Sequence, residues 1–210
     1  MKIIFATANA GKLREAAEVL GPGFEIVSPA SLGITEDIPE TGSTLQENSL
    51  QKAQYLFERT GLPCFADDTG LEVDALGGAP GIYSARYAGP EHDNQKNMDK
   101  LLAELEKTGI PGQARNDYKG ARNDERSRRA RFHTVVTLIL ADGLPRFFEG
   151  TCEGSIATHK AGTGGFGYDP VFLPDAYPGR TLAEVSEDEK NAVSHRGQAI
   201  RAMAGWLKKH

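Results

Sequence analysis

Asp67 and Asp68 stand side by side after the apolar run Leu62 to Ala66, ahead of Thr69, Gly70 and a second apolar stretch from Leu71. Read as strand, turn and strand, the segment places both carboxylates at a strand end, where side chains can converge on a metal. Paired acids are costly to bring together without a cation, although a solvated turn capped by one aspartate uses the same residues. A second candidate is Thr7-Ala8-Asn9-Ala10-Gly11-Lys12, between a buried strand over residues 2–6 and a helix carrying Leu13, Ala16, Ala17 and Leu20 at helical spacing. Such a loop aims backbone N–H groups and the positive end of the helix dipole at one spot, and Lys12 adds a full charge, so phosphate is its natural guest. Asn9 as a plain N-cap, with Lys12 in solvent, is the alternative. A Walker-type loop fits poorly, because Ala6 replaces the first glycine and Leu13 the magnesium-binding hydroxyl.

The remaining polar candidates lie on elements that can be read from their caps. Thr44-Leu45-Gln46-Glu47 is a capping-box signature opening a helix, with Asn48 and Lys52 on one face and Ala53, Leu56 and Phe57 forming an apolar stripe. Glu40 lies just outside that helix, where a surface acid is the ordinary reading. Gly162 to Pro170 is rich in glycine and holds two large rings, Phe166 and Tyr168; read alone, it is a turn between strands. Ser186 to Glu189 is a second capping signature, with Lys190 in the first helical turn. Ser194-His195-Arg196 then opens a last helix whose apolar face is Ile200, Met203, Ala204 and Leu207. An imidazole, a guanidinium and backbone donors at that helix start suit an acceptor-rich ligand, although a histidine there is ordinarily a surface residue.

Ala66-Asp67-Asp68-Thr69-Gly70-Leu71-Glu72-Val73-Asp74, followed by Leu76-Gly77-Gly78-Ala79-Pro80-Gly81-Ile82-Tyr83-Ser84-Ala85-Arg86-Tyr87, resembles the inosine/xanthosine triphosphate pyrophosphatases. The resemblance extends over nearly the whole chain, with five motifs in the family's order. It implies hydrolysis of purine nucleoside triphosphates outside the standard set (ITP, dITP and XTP) to the monophosphate and pyrophosphate. It implies Mg2+ at Glu40 and Asp68, with Asp68 also the catalytic residue, and a partner in a second copy of the chain, a homodimer. It further implies that the loop from Thr7 through Ala8, Asn9, Ala10 and Gly11 to Lys12, together with Lys52 and Thr69, binds the triphosphate. Phe166, Gly167, Tyr168 and Asp169 would form the base pocket, Phe166 stacking on the purine, while Lys190, His195 and Arg196 recognise the nucleoside.

Composition and pattern set the frame for that chemistry. The chain has 210 residues, 39% hydrophobic and 25% charged, enough for one substantial core, and no internal repeat or linker marks a second domain. A formal charge of −5 argues against a general polyanion binder and leaves room for a small, locally held phosphate ligand. Two cysteines, no leader-like start and no long apolar run point to a reducing cytoplasm without disulfides or membrane partner. The expected fold is α/β: a long mixed twisted sheet with flanking helices, forming two lobes around a nucleotide-binding cleft. Strands are expected at residues 24–27, 132–140, 147–151 and 155–158, with turns at Asp142-Gly143 and Glu153-Gly154, and a core helix at 94–105. Residues 112–129 contain Ala-Arg-Asn-Asp twice and almost nothing apolar, which predicts a disordered surface insertion. Its excess of arginine leaves a nucleic-acid-binding module as a third class of function, beside a kinase-like NTPase and a pyrophosphatase of other base preference; no nucleic-acid partner is expected.

Overall fold

Ile3, Ile4 and Phe5 have no solvent exposure, so the first strand is apolar on both faces, as a strand covered by helices on both sides must be. In the computed structural model, which describes residues 1–108 and 128–210, it is β1 (Lys2–Phe5). There follow α1 (Ala10–Leu20), β2 (Glu25–Val27), α2 (Leu45–Thr60), β3 (Cys64–Val73), β4 (Pro80–Gly81) and α3 (Asn94–Lys107). The second half contributes β5 (Arg129–Ile139), β6 (Pro145–Ile156), β7 (Phe172–Pro174), α4 (Glu187–Val193) and α5 (His195–Leu207). The strands run in the order β2-β1-β3-β5-β6-β7, with β4 beside β3. β1 is parallel to β2 and β3, whereas β4 on β3 and β7 on β6 are antiparallel, so the fold is the expected α/β class with a mixed sheet.

The chain falls into two compact units that interleave in sequence: residues 1–69, 134–150 and 195–210 form the first, and 70–133 and 151–194 the second. In the first, α1 connects β1 to β2 and α2 leads into β3. Ile3, Phe5 and Phe65 pack with Ala16 and Leu20 of α1 and Ala199, Ile200 and Met203 of α5. Ile4, Cys64 and Ala66 pack instead with Ala53 and Leu56 of α2. Because successive strand residues face opposite ways, α1 and α5 cover one face of β1 and β3 and α2 covers the other. β1 therefore has a parallel neighbour on each side, reached through helices on opposite faces, which makes its carboxyl end a topological switch point where ligands of α/β sheets bind.

The second unit has its own core. Met98, Leu101 and Leu105 of α3 meet Leu71, Val73, Ala130, Phe132, Cys152, Ile156, Tyr168 and Phe172. That stripe is core, as its helical spacing suggests. Arg131 of β5 lies between Glu72 and Asp74 of β3 and Glu153 of β6, a set of cross-strand ion pairs on the exposed side.

Four local expectations need correction. β3 is one strand of ten residues, not two strands joined by a turn. Gly70 is small because β4 lies against it: a Cβ there would be 2.8 Å from the carbonyl oxygen of Gly81. β6 likewise runs unbroken through Glu153 and Gly154, where a Cβ on Gly154 would sit 2.3 Å from the carbonyl oxygen of Leu173 in β7. In both cases a glycine that resembles a turn residue serves close backbone approach. Third, Glu47 does not close the box on Thr44; its carboxylate accepts from the backbone and hydroxyl of Ser43, one residue earlier. Finally, the expected insertion at 112–129 lies outside the described residues up to 127, but its end does not. Arg128 is buried and donates to the carbonyls of Ile156 and Ala157, and Arg129 already belongs to β5.

Candidate functional site

The register of β1 on β3 ends at Phe5 opposite Phe65, so Asp67 and Asp68 extend just past the carboxyl end of β1, at the switch point. Adjacent positions in a strand send the two carboxylates to opposite faces, and their partners differ accordingly. Asp67 shares its face with Phe65 and meets residues from the starts of α1 and α5. Its two oxygens accept from Lys12 Nζ at 3.1 and 3.0 Å, and one also accepts from Arg196 Nε at 2.8 Å. Arg196, itself buried, reaches Glu15 of α1 at 3.4 Å. Burial disfavours the charged form of Asp67, but Lys12, Arg196 and Lys52 outweigh it and hold its carboxyl far below the usual range.

Asp68 shares its face with Ala66 and meets α2. Lys52 Nζ donates to Asp68 at 2.9 Å and to Glu40 at 2.7 Å, and the Asn48 amide donates to the other oxygen of Asp68 at 3.3 Å. The side-chain oxygen of Asn48 takes the Gly42 backbone N–H at 2.8 Å, and Gln51 takes that of Thr41 at 2.9 Å. One face of α2 thus fastens the loop that carries Glu40 above Lys52. Burial is the main reason that the Asp68 carboxyl is raised above its usual value, with Glu40 adding and Lys52 opposing. For Lys52, burial opposes the charge, but Asp68, Asp67 and Glu40 win and raise its affinity for the proton. Lys12 is lowered, by burial first and then by Arg196 and Lys52, with Asp67 opposing.

At the start of α1 the Asn9 side chain accepts from the backbone of Gly11 at 2.8 Å and of Lys12 at 3.1 Å, while the Thr7 hydroxyl accepts from the Asn9 backbone. Asn9 is therefore an N-cap, yet Lys12 is not a solvent charge. Ala8, Ala10 and Gly11 are exposed, which leaves the loop backbone open to a ligand. Thr69 shares its hydroxyl with that of Thr134 at 2.7 Å.

The glycine-rich loop of the second unit folds around Asp169. This buried carboxylate accepts from the Phe166 backbone at 2.7 Å and from Lys190 Nζ. Gly165 has a φ of +72°, and a Cβ on it would overlap an Asp169 oxygen at 2.1 Å, so glycine is required there twice over. The result presents Phe166 at 55% exposure, with Lys190 Nζ 4.6 Å from the ring centroid. Gly167 follows with a φ of +62°.

A sequence model of the Ham1 family matches residues 3–206. The chain belongs to the Ham1 family. Among its relatives, the dITP/XTP pyrophosphatase of Christiangramia forsetii is 45% identical over 209 residues, covering 100% of both chains. That of Porphyromonas gingivalis is 47% identical, covering 98% of this chain and 97% of its own. The solved structure of the Staphylococcus aureus Ham1 protein superposes with a TM-score of 0.83 at 36% identity, covering 100% of this chain and 99% of the other.

In this Ham1 chain, Lys12, Glu40, Lys52, Asp68 and Arg196 come together in the first unit, and Phe166, Asp169 and Lys190 in the second. Tyr168 departs from the expected base pocket: it is buried in the second unit's core, and its hydroxyl donates to the Ser84 carbonyl at 2.9 Å. Arg196, expected at the nucleoside, donates from Nε to Asp67 and from one terminal nitrogen to Glu15. His195 opens α5 in the first unit, and its carbonyl packs so closely on Gly150 that a Cβ there would be 2.0 Å away. Glu15 went unread in the sequence; its one signal is its place one helical turn after Lys12. Asn48 was legible as the residue one turn before Lys52 on the same helical face.

No group of three or more His, Cys, Asp or Glu side chains converges among the described residues. Magnesium is commonly held by only one or two carboxylates, with water and substrate phosphates completing its shell. Glu40 and Asp68 already converge on a single positive charge, the Lys52 ammonium, and both offer hard oxygen donors. These residues fit a divalent cation.

Proposed function

We propose that this chain hydrolyses purine nucleoside triphosphates outside the standard set, ITP, dITP and XTP, to the monophosphate and pyrophosphate. The observation that carries the reading is the charged cluster at the switch point, with an exposed helix-start loop, the half-buried Lys12, the buried Lys52 and a carboxylate pair of unlike surroundings. Relatives that align with the entire chain and bear the name dITP/XTP pyrophosphatase support the substrate class. Lys12 and the loop backbone over residues 7–11 take the phosphate oxygens; Lys52 stabilises charge that develops on them. Asp68, whose burial raises its affinity for a proton, orients the attacking water and accepts its proton at a carboxylate oxygen. Magnesium, held by Glu40 and Asp68, would neutralise charge on the bridging and leaving phosphate oxygens. In the second unit, the exposed face of Phe166 stacks on the base, and Asp169 sets Phe166 and Lys190 in place.

Cytoplasmic work on the nucleotide pool and a homodimeric state belong to the same proposal. Among the described residues no helix is long and apolar enough to cross a membrane. The test is a panel of nucleoside triphosphates with separate detection of pyrophosphate and orthophosphate, with and without magnesium. Pyrophosphate from ITP, dITP and XTP, dependent on the metal, is the expected result. Orthophosphate would turn the reading to a γ-phosphate-releasing NTPase, and equal use of pyrimidine triphosphates would overturn the base assignment.

A further inference from the structure

We infer that Asp67 is a positioning residue that acts through Lys12, and that it is not a second acid of the metal site. The inference rests on reading this cluster as the triphosphate end of the site. Its first support is the unbroken β3: Asp67 points with Phe65 toward α1 and α5, whereas Asp68 points with Ala66 toward α2, where Glu40 and Lys52 lie. The two acids thus have separate surroundings despite being neighbours. Asp67 is 2% exposed, and both of its oxygens are already committed to cations of its own chain.

The second support comes from Lys12. Its ammonium is a point charge on a flexible four-carbon stem, which needs an anchor if it is to be in place before the substrate arrives. Among the described residues Asp67 is the only hydrogen-bond acceptor of that ammonium. Arg196 differs, because it keeps Glu15 when Asp67 is removed. Loss of the Asp67 charge therefore releases Lys12 chiefly, and a cation set in advance beside developing charge contributes to rate more than to ground-state binding.

The experiment compares wild type, Asp67→Asn, Lys12→Met and the double variant on ITP, with melting curves to establish folding and enzyme in excess so that slow rates can be read. Folded Asp67→Asn should lose about tenfold or more in kcat with KM changed less than about threefold. On the Lys12→Met background, the same Asp67→Asn change should alter kcat by less than about threefold, because its intermediary is gone. A merely structural role would not produce that dependence on Lys12. The double variant also covers the case in which Asp67→Asn fails to fold: it removes one charge of each sign and leaves Arg196 paired with Glu15. The inference is overturned if folded Asp67→Asn keeps kcat within about twofold of wild type, or if the double variant falls about tenfold or more below Lys12→Met. Wild-type pyrophosphate release is the control: its absence removes the proposed function, whereas its presence with additive losses removes only the role of Asp67.

Discussion

Two aspartates next to each other in sequence are made chemically unlike by a single structural fact, the alternation of a strand. Asp67 is surrounded by positive charge, which holds its carboxyl far below the usual range; Asp68 has a buried setting with another carboxylate nearby and holds a proton more readily. A residue meant to receive a proton from water needs the second setting. Asp68→Asn preserves the shape, keeps an oxygen for Lys52 and removes the group proposed to accept the proton. We expect kcat on ITP to fall by a factor of about 10² or more, with the melting temperature used to establish that the variant folds. Near-normal turnover would remove Asp68 from the chemistry.

At the scale of elements, the sequence was clearest where a pattern is local. The caps at Asn9, Thr44 and Ser186, the apolar spacing of α1 and α3, and the apolar β1 all produced the elements they signal. It misled where a glycine answers to a distant strand, since nothing near Gly70 or Gly154 announces the backbone that presses on it. The site residues Lys12, Lys52 and Asp68 stood out through their motifs, but the pairing of Arg196 with Asp67 spans 129 positions and no local pattern encodes it. Gly70 offers a direct test of the revised strand. Gly70→Ala puts a methyl 2.8 Å from the Gly81 oxygen, a backbone atom that cannot swing aside. A loss of about 1–3 kcal/mol in denaturant-derived stability is expected, as for other overpacked positions. An unchanged midpoint would mean that β4 yields freely, and the close approach would carry no weight.

For the whole molecule, each unit has its own chemistry, and the proposed function assigns them different parts of the substrate. The first gathers cations and carboxylates of a kind that suits phosphates, and the second offers an exposed ring beside an ammonium, of a kind that suits a base. Lys190 carries donors and no acceptor, and Asp169 fixes it near the Phe166 ring. A purine stacked on the open face of Phe166 with its position 6 toward such a donor is favoured when that position is an oxygen, as in hypoxanthine and xanthine. Adenine offers an amino group there, and two facing donors leave polar groups unpaired at about 1–3 kcal/mol each, so ATP should be at least roughly tenfold the poorer substrate. Lys190→Met keeps the length and apolar body of the side chain while removing the donors. It also takes a partner from buried Asp169, so the yield of folded enzyme is expected to drop; the ratio of kcat/KM for ITP to that for ATP is independent of that yield. We expect this ratio to fall by about tenfold or more, with the loss on the ITP side. A variant that loses activity on both substrates in equal proportion would show that Lys190 supports the loop and does not read the base.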